Sequence, residues 1–536
     1  MNFNNCYSQT AFATLQRRFK HSHALARILG LVEAAGCKTV VEEVDPSESE
    51  AKAEHEILKI FDPAEAARRS TVRFHFFRGR VQSLRVIRNH DLRYLGYCDV
   101  RSAECGTISS ALIDSSVFAP PSAKYVFLIC QRDFQVKFGV RILQVRAFPY
   151  MQEDRKVVRC AESALASLAS YFGLPIDAPA FTLIGCKAVS QRRPYPSKGL
   201  YFAELKRCVT AMGRVPELHD YRKNKRPPPH ERPEQIIYRY VESGIPVLVG
   251  FATSKQSTHL VVIVGHTFNP DSWMSHASTR LLGRQRSGRT HHSSTTWVER
   301  FIVQDDEMGP YTLAPADLLR RPGLYIPGAQ RPIVIVPLET RLPVTAEMAE
   351  SIVGGLIPKL HAELVKLFED DGAMRSQHNE FWFEEFSHYV GEKELVLRTS
   401  LMSAKAWKDN MRSWAIAHGP QMLEILQGLA LPRLVWVVEI SWPGIFLYGR
   451  RRCGEMVLSA EAKPPIKTPM LLKVFCWLHV PGVVVYGRTP RLLGVEILRR
   501  NDAPCRHHFT VPPRQTIGQR KKRCVRNRHP VADGNQ

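Results

Sequence analysis

Between Gly244 and Phe268 the chain reads "GIPVLVGFATSKQSTHLVVIVGHTF". Two near-continuous apolar runs stand either side of a short polar loop. Runs of this kind suit strands covered on both faces, because a half-solvated strand would alternate apolar and polar residues. The chain must therefore supply a covering layer for each face. A further short strand, "FIVQDD" (Phe301 to Asp306), follows a long polar excursion.

Candidate covers lie just upstream. In "VVRCAESALASLASYFG" the residues Ala161, Ala164, Leu165, Leu168, Ala169 and Phe172 fall on one helical face. Gly173 and Pro175 end that helix. A second helix follows Gly199, with Leu205, Val209 and Met212 on one side and Gly213 as its stop. A third starts at Pro233, a favoured first helical residue, and buries Ile236, Ile237, Tyr240 and Val241.

At 536 residues the chain exceeds one hydrophobic core. Four regions are read. Residues 1–149 begin helical and turn β-rich after Thr71, through "TVRFHFF", "VQSLRVI", "YVFLIC" and "VRILQVRAF". Residues 150–330 mix helices and strands. Residues 331–498 form an α+β region, with a long amphipathic helix kinked at Gly354, Gly355 and Pro358, then antiparallel strands at "LVWVVEI", "IFLYG" and "LLKVFCWLHVPGVVVYG". Residues 499–536 are expected to be a basic, disordered tail. Ten Arg or Lys between Arg499 and Arg528 face one acid, Asp502, a balance of +9 out of +23 for the chain. That tail admits weak contact with nucleic acid or another polyanion.

No run of about 18 apolar residues occurs, so no membrane span is expected. The N-terminus lacks an apolar core behind a basic start, so no export signal is expected. The cysteines then belong to a reducing, cytoplasmic setting. No CxxC pair is present among the twelve. Neither a structural metal site nor a cofactor is called for. His291 and His292, within a basic insert, read as part of a mobile polar loop, and Cys208 reads as core.

Three residues suggest chemistry. Cys160 sits at a helix start, where unpaired backbone N–H groups and the helix dipole stabilise a thiolate, the form that attacks carbonyl carbon. His259 opens an apolar strand behind a polar loop, at the mouth of a cleft. Asp305 ends another strand, where a carboxylate can fix an imidazole tautomer. His266 is a rival base, but its odd offset turns it to the other face of a straight strand. Asp306 is a rival for Asp305.

In order and separation, residues from about 150 to 315 resemble papain-like cysteine peptidases of the C39-like branch. The matching pieces are "MQEDRKVVRCAESALASLASYFG", "SKGLYFAELKRCVTAMG", "GIPVLVGFATSKQSTHLVVIVGHTF" and "FIVQDDEMGPYTL". The resemblance implies an α+β fold: a papain-like core with an N-terminal β-rich lead-in and a C-terminal α+β region. It implies Cys160 as nucleophile, His259 as base, Asp305 as orienter and Gln152 as an oxyanion-hole donor. The activity implied is cleavage of an amide or isopeptide bond in a peptide or protein substrate. The same set of residues also serves deamidases and acyltransferases, and an inactive protein-binding module is the alternative. The chain departs from the pattern at Ala161, where Gly is usual, and at Arg159, where an acid is frequent and where a cation favours the thiolate. Gln152 also lies further ahead of the Cys than usual.

Overall fold

The computed structural model describes residues 2–508 except 6–8, 20–21, 45, 47–50, 102–105, 120–124, 155–156, 187–196, 222–231, 253–257, 269–281, 285–289, 317–331, 371–376, 464–472, 490–491 and 499–502. The class is α+β. Most of the expected insert, 269–281 and 285–289, and the tail from 509 onward lie outside the described residues.

The first region holds helices α1 (Gln9–Arg18), α2 (His23–Ala34), α3 (Ala51–Phe61) and α4 (Pro63–Arg68). Strands β1 (Asn2–Asn5), β2 (Cys37–Val44), β3 (Thr71–Arg78), β4 (Tyr94–Arg101) and β5 (Ile108–Ile113) form a five-stranded antiparallel sheet in chain order. The local sequence sets these starts. Ser22 Oγ accepts the Leu25 N–H at 3.2 Å at the head of α2. Asp62 caps α4 ahead of Pro63. "VQSLRVI", expected as a strand, holds a 3₁₀ turn at Leu84–Val86 instead, and its Leu84 and Val86 are exposed.

Beyond this sheet come β6 (Tyr125–Leu128) and the hairpin β7 (Arg132–Phe138) and β8 (Arg141–Ala147). The middle of the chain holds helices α5 (Cys160–Phe172), α6 (Ala178–Cys186), α7 (Phe202–Ala211) and α8 (Pro233–Glu242). It also holds strands β9 (Val215–Asp220), β10 (Val247–Ala252), β11 (Thr258–Phe268), β12 (Leu282–Arg284), β13 (Thr290–Ser293), β14 (Val298–Asp305), β15 (Gly309–Pro315) and β16 (Ile333–Leu338). The central sheet runs β15-β14-β11-β10-β16-β9. Strand β11 pairs with β14 on one edge. On the other it meets β10 with its first half and β6 with its second. A glycine is required at the changeover: a Cβ on Gly265 would sit 2.3 Å from the Phe127 carbonyl oxygen. Helices α5 and α8 both pack on β11, which explains its unbroken apolar run. Gly173 closes α5 in the left-handed conformation, with φ 75°.

The last region holds helices α9 (Ala346–Asp370), α10 (Gln377–Glu392), α11 (Ala404–His418), α12 (Pro420–Gly428) and α13 (Pro443–Gly449). Its strands are β17 (Val396–Ser403), β18 (Leu434–Ser441), β19 (Arg451–Arg452), β20 (Gly454–Ser459), β21 (Phe475–Val480), β22 (Val483–Thr489), β23 (Leu492–Ile497) and β24 (Cys505–Arg506). An eight-stranded sheet runs β12-β13-β17-β18-β20-β21-β22-β23. Every residue of β18 is buried. Trp436 and Val438 join the large core shared with α9, while Val435 and Val437 join a second core with Trp407 and Met411 of α11. "IFLYG", expected as a strand, is helix α13, started by Pro443 at its first position.

The sheets cross the expected borders at 149 and 330. β6 and β16 come from outside 150–330 yet complete the central sheet, while β12 and β13 leave it for the C-terminal sheet. The expected mobile loop thus ends in ordered strand: His291 and His292 are buried, and β13 lies parallel to β17. The expected disordered tail also needs correction at its start. Strand β24 pairs with β19, and the buried His507 and His508 meet Glu439 and Glu455 at 2.7 Å each. Cys208 is core, as its helix face requires.

Candidate active site

The N-terminus of α5 abuts the start of β11. The segment before it is fixed by backbone and carboxylate bonds. Residues 150–152 run beside β5: Tyr150 and Ala111 exchange N–H···O bonds of 3.0 and 2.8 Å, and the Gln152 N–H donates to Ile108 O at 2.9 Å. Asp154 Oδ1 accepts the N–H groups of Val157 and Val158, each at 2.8 Å. Its other oxygen accepts Arg69 Nη1 at 3.0 Å. Asp154 thereby turns the chain into α5 and sets where Cys160 sits.

The structure brings Cys160, His259, Asp305 and Asp306 together. His259 Nε2 lies 3.2 Å from Asp305 Oδ1 and 3.7 Å from Asp306 Oδ1. The thiol of Cys160 hydrogen-bonds the His259 ring and the Leu260 backbone. Cys160 keeps partial exposure, whereas His259 and both acids are buried.

The two acids differ in support. Asp305 Oδ1 also accepts the N–H groups of Glu307 and Met308, at 2.9 and 3.1 Å. Among the described residues, neither buried oxygen of Asp306 has a hydrogen-bond partner. Burial pushes the Asp306 carboxyl up to about 8 against the pull of His259, with Glu153 and Asp305 adding to the rise. Burial alone would lower His259. The bonds to Asp305 and Cys160 and the charges of both acids outweigh it and hold the ring well above the usual range. Burial raises the Cys160 thiol, and the bond to His259 opposes that rise.

Arg159 Nε donates to Ser197 O at 3.0 Å, and the leading influences on the thiol are burial, His259, Asp306 and the Leu260 backbone. Gln152 has its Oε1 fixed by the Ile108 N–H at 3.0 Å. That bond leaves the amide nitrogen as the donor end of the side chain. His266 lies elsewhere. It stacks on Phe127, packs on Tyr238 and bonds Glu242 through Nε2.

Several residues escaped the sequence reading. Asp154, with two amides three and four residues on, carries a local turn signal. Tyr150 Oη donates to the carbonyls of Asp305 and Asp306, both at 3.2 Å, and no local pattern announces it. Glu162, in the first turn of α5, is fully buried. Its Oε1 accepts Ser197 Oγ at 2.7 Å and Thr182 Oγ1 at 3.1 Å. Burial raises its carboxyl despite these bonds. Glu162 thus ties the helix start to α6 and to the segment ahead of α7.

His259, Asp305 and Asp306 also present three donors within 4.8 Å of one another, a spacing a metal ion could use. An imidazole that bonds both a thiol and a carboxylate can accept a thiol proton and return it to a leaving group, which is the requirement for covalent acyl transfer. Among the described residues no helix is long and apolar enough to cross a membrane. No protein-family model matches the chain, and no curated protein sequence matches it.

Proposed function

We propose that the chain is a cysteine hydrolase with a papain-like core, cleaving an amide or isopeptide bond in a peptide or protein. The supporting observation is the His259 ring, which bonds the Cys160 thiol and lies 3.2 Å from Asp305. A helix with the sulfur at its start, packed on antiparallel strands that carry the histidine and the acid, is the layout expected of that fold.

Cys160 Sγ loses its proton to His259 and adds to the substrate carbonyl carbon. The tetrahedral oxyanion is held by the Cys160 backbone N–H and by the Gln152 side-chain amide. His259 then protonates the leaving amine, and the C–N bond breaks to leave a thioester. Water, deprotonated by His259, attacks the thioester. The acid departs and the thiol is restored. Asp305 keeps the ring oriented and offsets its positive charge. If an amine replaces the water, the same steps give acyl transfer. If the bond broken is a glutamine side-chain amide, they give deamidation.

A second reading, an inactive papain-like module that binds protein, is favoured by one observation: burial raises the thiol, while Arg159 Nε is bonded to Ser197 O. Alkylation at neutral pH separates the two. A hydrolase is labelled by iodoacetamide at Cys160, as located by peptide mass mapping, and His259→Ala suppresses that labelling. Labelling of Cys160 at equal rates with and without His259, or none in either, rejects the enzyme reading.

A further inference from the structure

The edge strand of the central sheet carries a second group of donors, separate from the Cys160 cluster. In β9, Glu217 and His219 alternate with Leu218 and so share a face. They pair across to Val336 and Val334 of β16, three strands from β11. The first turn of α9 delivers Glu347 to the same place. One donor atom from each of Glu217, His219 and Glu347 lies within 4.8 Å of the other two.

Two features separate this group from an ordinary acidic surface. Glu347 is 7% exposed, and its buried Oε1 has no hydrogen-bond partner among the described residues. The other members are already oriented. Tyr240 Oη, from α8, donates to Glu217 Oε1 at 2.7 Å, and His219 Nε2 lies 3.0 Å from the same oxygen. The buried cation on α8, Arg239, is bonded to Glu350 through two bonds of 2.8 Å and reaches Glu347 only through its charge. Two carboxylates and one imidazole thus share one place, and one of the carboxylates carries a buried oxygen with no hydrogen-bond partner among the described residues.

We propose that Glu217, His219 and Glu347 bind a divalent transition-metal ion, with Zn²⁺ the best match. One nitrogen and two carboxylate donors suit zinc. Mg²⁺ and Ca²⁺ are held mainly by oxygen and water. Glu217 and His219 are partly exposed, which leaves room for water as a fourth ligand. In the metal-free chain His219 Nε2 carries the hydrogen bonded to Glu217. On binding, that proton moves to Nδ1 and Nε2 takes the metal. No electron is transferred. Tyr240 stays on Glu217 as the outer partner that orients the ligand. The ion ties the edge strand β9 to the head of α9, joining the central sheet to the C-terminal region.

The test uses the full chain carrying Cys160→Ala and His259→Ala, which takes the other described cluster out of competition. The protein is stripped with EDTA, then titrated with Zn²⁺ by calorimetry and with Co²⁺ by visible absorption. The expected result is one equivalent bound, a Co²⁺ ligand-field spectrum without thiolate bands, and a higher melting temperature with Zn²⁺. His219→Ala and Glu347→Gln should each weaken binding by more than the roughly 10- to 100-fold typical of losing an outer partner. Tyr240→Phe should weaken it within that range. If Glu347→Gln fails to fold, His219→Ala on the partly exposed edge strand still decides the matter. Unchanged affinity in His219→Ala, or no binding by the parent chain, overturns the proposal.

Discussion

Strand β11 carries two histidines, His259 and His266, with opposite surroundings. His259 bonds both a thiol and a carboxylate, and beside it Asp306 is buried with neither oxygen hydrogen-bonded among the described residues. His266 belongs to a compensated lattice. Its Glu242 partner also accepts from Arg398, which bonds Glu439 as well. Glu439 in turn meets Arg452 at 3.0 Å and His507 at 2.7 Å, and Arg452 reaches Glu455 at 2.7 Å. Burial alone would raise Glu242, yet Arg398, His266 and Arg450 hold it far below the usual carboxylate range. Burial likewise works to raise Glu455, but Arg452 and His508 bring it down to about 2. The lattice joins α8 and β11 to β17, β18, β20 and the first residues of the tail. One end of the strand is built for holding. The other keeps charge imbalance near a sulfur, the condition that proton transfer needs.

The largest effect should come from the holding end. Arg398→Met leaves Glu242 and Glu439 short of their main cation and should cost about 3–5 kcal/mol of stability. Urea unfolding of full-length protein measures it. His259→Ala, at the other end, should cost less, about 1–3 kcal/mol for a buried carboxylate that loses one hydrogen-bond partner. Equal losses would erase the distinction between the two ends. The labelling rate of Cys160 should respond the other way round. His259→Ala slows it on the order of a hundredfold or more, by the usual worth of a positioned base. Folded His266→Ala should label at the parent rate.

The contrast also shows where sequence reading succeeds. The apolar runs of β10 and β11, the small-residue face of α5 and the stop at Gly173 act locally, so periodicity reveals them. Cys160, His259 and Asp305 were visible because each lies at an element end, where a side chain can leave the core. The compensating lattice was not visible. Arg398, Glu439, Arg452, Glu455 and His507 are spread over four strands and a tail, and a charge count cannot tell a paired ion from a solvated one. The same blindness turned residues 503–508 into expected disorder. The strands of the insert were missed because β13 has too few residues to show a period, and its place is set by β17 across the sheet.

Next in size are the two acids. Asp305→Asn removes the charge that holds the His259 ring and should slow labelling about tenfold or more. Asp306→Asn should act mainly on stability. Its carboxyl, pushed up to about 8, binds a proton more tightly folded than unfolded. Stability is therefore full below the ordinary carboxylate range, falls as pH climbs toward 8, and is level above it. The asparagine removes that fall. It should stabilise the protein by about 1–3 kcal/mol at pH 8 and by little at pH 4. Melting curves from pH 4 to 9 check this. A parallel offset at every pH would mean that Asp306 is ionised throughout.

The smallest effect belongs to Tyr150, the residue that ties the approach to α5 to the acid-bearing turn. Its hydroxyl donates to two carbonyls at 3.2 Å each, and burial holds it well above its usual range, with the nearby acids adding to the rise. It therefore stays a neutral donor at any working pH. Tyr150→Phe keeps the ring and its packing and loses only the hydroxyl, at a cost of about 1 kcal/mol. Two carbonyl oxygens then need new partners, and the turn that presents Asp305 loosens. Cys160 labelling should slow a few-fold, with the same pH dependence as the parent, because no titrating group has been removed. A changed pH profile would instead mean that Tyr150 sets the charge of the site. That would make the site depend on its N-terminal approach for its electrostatics as well as for its position.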